Sequence, residues 1–175
     1  MANYKTHDRV TLYSAVLLAP LCYWAASQYT TGSGGDAAAM TPAQTTLLVL
    51  GAHLFSGLWL SNDLDIYSRI YRRWGPLRFL WYPYQKLVAH RSWLSHNPWV
   101  GPLLRLLYLY AMVELVLLGA HRLTRFLGTA SAMVETGLAW TALAWSFLWT
   151  QPHVSVPIVV GLILGSAMHS LVDMT

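Results

Sequence analysis

The segment "SNDLDIYSRIYRRWGPLRFLWYPYQKLVAHRSWLSHNPW", residues Ser61–Trp99, places four potential metal ligands in an aromatic and arginine-rich stretch of a largely apolar chain. It contains Asp63, Asp65, His90 and His96, which are two of the seven acidic residues and two of the seven histidines. Ordinary loops consist mainly of Gly, Pro, Asn, Asp and Ser, which serve turn geometry. The composition of this segment therefore indicates a site rather than a simple connection.

The composition of the whole chain indicates an integral membrane protein. Of its 175 residues, 55% are hydrophobic and 10% are charged, whereas soluble domains carry about 25% charged residues. The length suits a single domain over residues 1–175. One cysteine, Cys22, excludes a disulfide framework and a cysteine-based zinc site. The net charge of +4 comes from basic residues that flank apolar runs, so we expect membrane lipids, not nucleic acid, as partners.

Five apolar runs approach membrane-spanning length: Val10–Ser27, Thr45–Leu60, Val100–Ala120, Ala132–Trp149 and Val154–Val172. We predict an all-α, polytopic membrane helical bundle in which the third run is re-entrant or interfacial and the other four cross. The third run contains Arg105 and Glu114, and charged side chains that face lipid are costly.

The basic residues predict the orientation. Lys5 and Arg9 precede the first run, and six more basic residues lie between the second and third runs: Arg69, Arg72, Arg73, Arg78, Lys86 and Arg91. The positive-inside rule places both groups in the cytoplasm, together with both termini. The Gly- and Ser-rich stretch Tyr29–Gln44 is then outside. A full crossing by the third run would also place Arg122 and Arg125 outside.

This topology gathers seven potential ligands near the cytoplasmic face: His7, Asp63, Asp65, His90, His96, His169 and Asp173. His169 and Asp173 are four residues apart, so they share one face of a helix. Asp63 and Asp65 flank one residue, so their carboxylates can point the same way. His90 and His96 are about a turn and a half apart if helical, near enough for one ion or two adjacent ions.

Other interpretations of these residues exist. Asp63 and Asp65 are also suited to cap the following helix, and the arginines to set the orientation alone. His121 and His153 are best interpreted as core residues, and His53 as intermediate because it lies ten residues before Asp63. The aromatic side chains are most simply an interfacial belt: Trp74, Phe79, Trp81, Tyr82, Tyr84, Trp93 and Trp99.

Histidine and aspartate without thiolate suit zinc, manganese, iron or a mixed two-metal centre better than calcium. Seven candidate ligands exceed the four that one tetrahedral ion takes. The sequence therefore predicts one or two divalent ions, with zinc the first choice. With two ions, Asp63 or Asp65 is suited to bridge them.

Three stretches resemble a known family: "THDRVT" (Thr6–Thr11), the run Asp63–His96, and "GSAMHSLVD" (Gly165–Asp173). They resemble an uncharacterised bacterial and cyanobacterial family of metal-binding membrane proteins, which is similar to predicted membrane-bound metal-dependent hydrolases. The likeness covers nearly the whole chain, although Asn62 stands where proline is usual. It implies that the seven residues above are metal ligands, with Asp8 as an additional candidate, and that the protein resides in the bacterial inner membrane.

These features lead to the hypothesis of a metal-dependent hydrolase that acts on a lipid phosphoester at the cytoplasmic interface. Arg91 and Arg73 are suited to bind the phosphate, and Asp65 or Asp173 to act as general base. Ser95 is expected to point away from His96 and to offer no nucleophile.

The alternative hypothesis is a non-catalytic protein in which the metal has a structural or metal-handling role. A closed set of protein ligands favours this alternative, and an open, accessible position favours catalysis. A transporter is less well supported, because the acidic residues gather at one face, whereas transporter sites lie near the membrane midplane. Only Glu114 and His53 favour it.

Overall fold

Three long helices pack side by side in the computed structural model, which describes residues 4–32, 40–90, 92–129 and 131–174. They are α1 (Tyr4–Gly32), α2 (Pro42–Leu58) and α8 (Pro152–Asp173). Thr41 starts α2 with a capping box that includes Gln44, and a proline occupies the first turn. The start of α1, the end of α2 and the end of α8 lie at the same end of this bundle.

Glycine residues allow α8 to run parallel to α2 at close distance. A Cβ atom at Gly161 would overlap the carbonyl oxygen of Val49, and one at Gly165 would overlap that of His53. The two glycines form a small-xxx-small pattern, which lets helix backbones approach in membranes. The Ser56 hydroxyl donates to the Leu162 carbonyl at 2.7 Å, so a hydrogen bond also joins α2 to α8.

His53 joins α2 to α1 and stands apart from the ligand cluster. Its Nε2 lies 3.1 Å from the Thr11 carbonyl oxygen and 3.0 Å from the Ser14 hydroxyl, and the side chain is fully buried. A ring nitrogen that faces a carbonyl must carry the proton. His53 therefore contributes to helix packing within the bundle.

Residues 59–99, here called the cap, fold into short helical pieces over the end of the bundle. These are a 3₁₀ turn (Asn62–Asp65), α3 (Arg69–Arg73), a 3₁₀ helix (Gly75–Trp81), α4 (Tyr82–Leu87) and α5 (Trp93–His96). The Ser68 hydroxyl accepts from the Tyr71 amide and caps α3. The capping role considered for Asp63 and Asp65 is therefore filled by Ser68.

The cap has its own aromatic core. Trp81 and Tyr84 are buried, and the Tyr108 hydroxyl donates to the Leu80 carbonyl at 2.6 Å. The interpretation of the aromatic cluster as an interfacial belt is therefore wrong for Trp81 and Tyr84. Four of the other side chains are exposed as a belt requires: Phe79, Tyr82, Trp93 and Trp99.

The remaining helices, α6 (Val100–Phe126) and α7 (Ala132–Thr150), form an antiparallel hairpin. Gly137 packs against Leu117, and farther along α7 the Trp145 ring stacks on Tyr110 with centroids 4.8 Å apart. The helix α6 begins beside the cap and leads away from it.

Within the described residues, four helices are long and apolar enough to cross a membrane: Lys5–Tyr29, Pro42–Asp65, Val100–Phe126 and Pro152–Asp173. The predicted all-α fold and the number of candidate spans are confirmed. Of the two courses predicted for Val100–Ala120, the re-entrant one is wrong, because one unbroken helix of 27 residues covers this run, and the interfacial one stays a prediction. The helix outside this set of four is instead α7.

Candidate metal centre

Four separate segments deliver histidine and aspartate side chains to one end of the bundle. The start of α1 supplies His7, the 3₁₀ turn after α2 supplies Asp63, α5 supplies His96, and the end of α8 supplies His169 and Asp173. Two groups of three have ligand atoms that all lie within 4.8 Å of one another. Asp173 belongs to both groups.

The inner group consists of His7, His169 and Asp173. The His7 Nε2 lies 3.4 Å from Asp173 Oδ1, and the His169 Nε2 lies 3.4 Å from Asp173 Oδ2. The two imidazole rings stack with centroids 4.0 Å apart. Both histidines are almost fully buried. The two histidines of this group are therefore shielded from solvent and lipid.

The outer group consists of Asp63, His96 and Asp173. The His96 Nε2 lies 4.0 Å from Asp173 Oδ2, and Asp63 Oδ2 lies 3.6 Å from the His169 Nε2 of the inner group. The side chains of Asp63, His96 and Asp173 are 22%, 19% and 18% exposed. The outer group is therefore the more accessible of the two.

These separations fit shared coordination better than direct hydrogen bonding. An N–H···O hydrogen bond measures about 2.7–3.2 Å. Ligand atoms about 2.1 Å from a tetrahedral zinc ion stand about 3.4 Å from each other. Moreover, the buried Oδ2 of Asp173 and Nδ1 of His7 have no hydrogen-bond partner among the described residues. A divalent cation would satisfy the lone pair and charge of that carboxylate oxygen, so the residues present fit a metal.

Serine hydroxyls orient two of the imidazoles. The Ser61 hydroxyl lies 2.8 Å from His169 Nδ1, and the Ser95 hydroxyl lies 2.9 Å from His96 Nδ1. Each contact leaves the Nε2 atom facing the carboxylates. Metal-binding histidines are commonly fixed through their second nitrogen in this way. The expectation that Ser95 points away from His96 is wrong, because the short α5 turn brings its hydroxyl back to the neighbouring ring.

Asp65 and His90 form a pair beside the two groups. Asp65 Oδ1 lies 2.8 Å from His90 Nδ1, and Asp65 Oδ2 accepts a hydrogen bond from the Ser95 hydroxyl. The expected common direction of Asp63 and Asp65 does not occur, because they lie in a 3₁₀ turn. With three residues per turn, side chains two positions apart differ in direction by about 120° around the helix axis. His90 remains next to the centre, with its ring 5.4 Å from that of His96.

The outer histidine lies in an environment that keeps it neutral. Burial lowers the pKa of His96 below its ordinary value, and the neighbouring His90 acts in the same direction, whereas Asp65 opposes it. A neutral imidazole is the form that binds a metal. His96 is therefore prepared to act as a ligand without first losing a proton at neutral pH.

The arginines expected to bind phosphate have other surroundings. Arg73 donates to the Leu58 carbonyl at 2.8 Å and also pairs with Asp8, so it connects the end of α2 with the start of α1. The Asp8 carboxylate therefore pairs with Arg73, and Asp8 belongs to neither group of candidate ligands. Arg91 lies outside the described residues.

Sequence reasoning missed several polar residues beneath the ligands, chiefly Arg105, Asn62 and Ser166. They are completely buried and bonded to one another. The available signal was their residue type, since polar side chains in apolar runs need partners.

Comparison with known proteins agrees with a metal centre. The family model described as "Uncharacterized metal-binding protein (DUF2227)" matches residues 2–175. An "Uncharacterized protein" of Aquifex aeolicus (strain VF5) is 40% identical over 58 residues, which is 33% of this chain and 40% of that protein. No solved structure matches the chain. Because the family model covers nearly every residue, the chain belongs to this family of metal-binding proteins.

Proposed function

We propose that this protein holds two divalent metal ions, one in the inner group and one in the outer group, with Asp173 shared between them. The observation that carries the proposal is the buried Asp173 Oδ2, which has no hydrogen-bond donor among the described residues yet lies near His169 Nε2 and His96 Nε2. Asp173 would hold both ions, because its two carboxylate oxygens face the histidines of both groups. The bridging role thus passes from Asp63 or Asp65, as first expected, to Asp173.

Zinc is the ion that we propose first, because imidazole and carboxylate ligands at tetrahedral spacing suit it. Manganese and iron accept the same ligand types. Each group offers three protein ligands, which leaves a position for a further ligand on a four-coordinate ion. His90 stands close enough to the outer group to be a candidate for it.

The function that the geometry supports best is a structural or metal-handling one. The inner group connects the first helix of the chain to the last, through His7 and the pair His169 and Asp173. Buried ligands from distant segments are typical of sites that stabilise a fold. The family description, which names metal binding, also supports this proposal.

A second candidate function is metal-dependent hydrolysis of a lipid phosphoester, and the accessibility of the outer group favours it. A divalent ion there would supply Lewis acidity toward a phosphoryl oxygen. Asp173 and Asp63 would face the reacting group. Asp65 is buried with both oxygens hydrogen-bonded, so we assign it to the positioning of His90 and Ser95 instead of the general-base role.

We propose that the site faces the cytoplasm of a bacterial inner membrane. Both ends of the described chain lie at the site, so they are on the same side of the membrane. A chain whose two ends share a side crosses the membrane an even number of times. The four candidate spans α1, α2, α6 and α8 satisfy this parity, with α7 packed back along α6 without completing a crossing. All but two of the 11 Lys and Arg residues precede residue 106, so the positive-inside rule still favours a cytoplasmic site. The far-side exceptions are Arg122 and Arg125.

The metal content of purified protein tests the main proposal. We expect two zinc equivalents per chain in the wild type, and one each in His7→Ala and His96→Ala, because each variant removes a ligand from a different group. His153→Ala is the matched control, since His153 is exposed at the opposite end of the bundle. A wild type without bound metal, or both site variants with two full equivalents, would contradict the proposal.

Turnover separates the two candidate functions. The metal-loaded protein in mixed micelles should release phosphate from a phospholipid monoester if the outer group is catalytic, and Asp63→Ala should abolish this release. Glu135→Ala, on the exposed start of α7, should leave it unchanged. A fully loaded wild type with no phosphate release would refute the hydrolytic function and leave the structural one.

A further inference from the structure

Arg105, near the start of α6, is a fully buried charged residue inside a candidate membrane span. Its Nη1 donates to the Ser95 carbonyl at 2.8 Å. Its Nη2 donates to Asn62 Oδ1 at 2.9 Å and to the Ser166 hydroxyl at 3.3 Å. One guanidinium thus bonds to α5, to the 3₁₀ turn and to α8, three segments that carry ligands.

The partners of Arg105 lie directly behind the proposed ligands. Asn62 and Ser95 each immediately precede a residue of the outer group. Ser166 lies three residues, about one helical turn, before His169. A shift of any partner would therefore move the ligand attached to it.

The same partners are also bonded to one another. Asn62 Oδ1 accepts from the Ser166 hydroxyl at 2.9 Å, and Asn62 Nδ2 donates to the Ser170 hydroxyl at 2.9 Å. The Ser170 hydroxyl in turn donates to the His96 carbonyl at 3.2 Å. The network closes on itself, and Arg105 is the member that α6 contributes.

Gly101 of α6 leaves space for the guanidinium of Arg105. A Cβ atom at Gly101 would lie 2.9 Å from the Ser95 carbonyl oxygen and 3.4 Å from the terminal nitrogens of Arg105. Glycine at this position therefore leaves room for the arginine beside α5. Arginine suits the position because its rigid fork reaches several acceptors at once, which lysine does not.

We propose that Arg105 is a positioning residue that holds Asp63 and His96 in place for the outer ion before that ion binds. The inference rests on the proposed metal binding. Two of its three contacts are to residues that precede ligands of the outer group. Loss of Arg105 should therefore weaken binding of the outer ion far more than binding of the inner one. Loss of supporting contacts behind ligands typically reduces metal affinity by about 10–100-fold.

Cobalt(II) titration of purified protein tests this inference, with the visible absorption of the bound ion as a report on its coordination. We expect Arg105→Gln to bind the first equivalent normally and the second about 10–100-fold more weakly, with an altered outer-site spectrum. Arg105→Lys should bind the second equivalent more tightly than Arg105→Gln but more weakly than the wild type. Ser166→Ala, which removes one contact of Arg105, should bind it more tightly than Arg105→Lys. Arg122→Gln, an exposed position on the same helix, should match the wild type.

The outcomes separate the inference from the function on which it rests. A wild type that binds no cobalt would refute both. A wild type that binds two equivalents, with an Arg105→Gln variant of unchanged affinities and spectrum, would refute only the role of Arg105. If Arg105→Gln does not fold, the affinities of the other three proteins for the second equivalent still test the proposal. They should decrease from wild type to Ser166→Ala to Arg105→Lys, and equal affinities in these three would overturn the proposal.

Discussion

Ser61 shows at the scale of single residues how a hydroxyl can control a metal ligand. Its oxygen lies 2.8 Å from His169 Nδ1, which directs His169 Nε2 toward Asp173. We expect Ser61→Ala to lower the metal affinity about 10–100-fold, because the ring loses the partner that fixes its orientation. Competition with a chelating dye measures the change. Ser146→Ala, which removes a hydroxyl bonded only within α7, should leave the affinity unchanged.

The same scale shows which ligands the sequence can predict. His169 and Asp173 meet because helical periodicity places residues four apart on one face, and their spacing alone predicts this. Asp63 and Asp65 separate because their backbone forms a 3₁₀ turn, which two-residue spacing does not reveal. Arg105 was taken as a sign of a re-entrant run, whereas it is a buried residue whose partners come from three distant segments. Such long-range pairing depends on packing that a single sequence does not specify.

At the scale of helices, Gly161 and Gly165 set the contact between α8 and α2. We expect Gly165→Ala to destabilise the detergent-solubilised protein by about 1–3 kcal/mol, because its methyl group would force the helices apart. Thermal unfolding followed by circular dichroism measures the loss. Gly119→Ala is the matched control, since a Cβ there meets no packing partner within 4 Å in the part of the chain that the structure describes. An equal effect in both variants would argue against the close packing of α2 and α8.

The sequence predicted all five long helices, and three of the four that we assigned to the membrane, α1, α2 and α8, are candidate spans. All five apolar runs are helices, since their length and composition determine this. We predicted a crossing by α7 and not by α6, because Arg105 and Glu114 made α6 look unsuited to lipid, whereas α6 is one of the four candidate spans among the described residues. Burial of Arg105 against the cap removes one of these two objections. The choice of α6 over α7 as a candidate span rests on helix length and composition, and the burial of Arg105 explains how α6 tolerates this charge.

At the scale of the whole molecule, the course of α6 predicts the membrane topology. With Cys22 replaced by alanine, a single cysteine at Arg122 should react with a membrane-impermeant maleimide added to intact cells. A single cysteine at Arg78, an exposed cap residue, should react only after the membrane is opened. The reverse pattern would place the site outside. Protection at both positions would restore a topology in which α6 does not cross.

The metal centre also predicts how the whole molecule responds to loss of its ions, because the inner group ties the start of α1 to the end of α8. Ions that bind only the folded chain stabilise it by about 2.7 kcal/mol when their free concentration is 100 times the Kd. We therefore expect zinc to raise the unfolding temperature of the metal-free protein, and Asp173→Asn to abolish most of that rise by removing the shared charge. Glu135→Gln should retain the full rise, since its side chain lies on the exposed start of α7. An unfolding temperature that is the same with zinc and after chelation would show that the two ends of the chain are held together by packing alone.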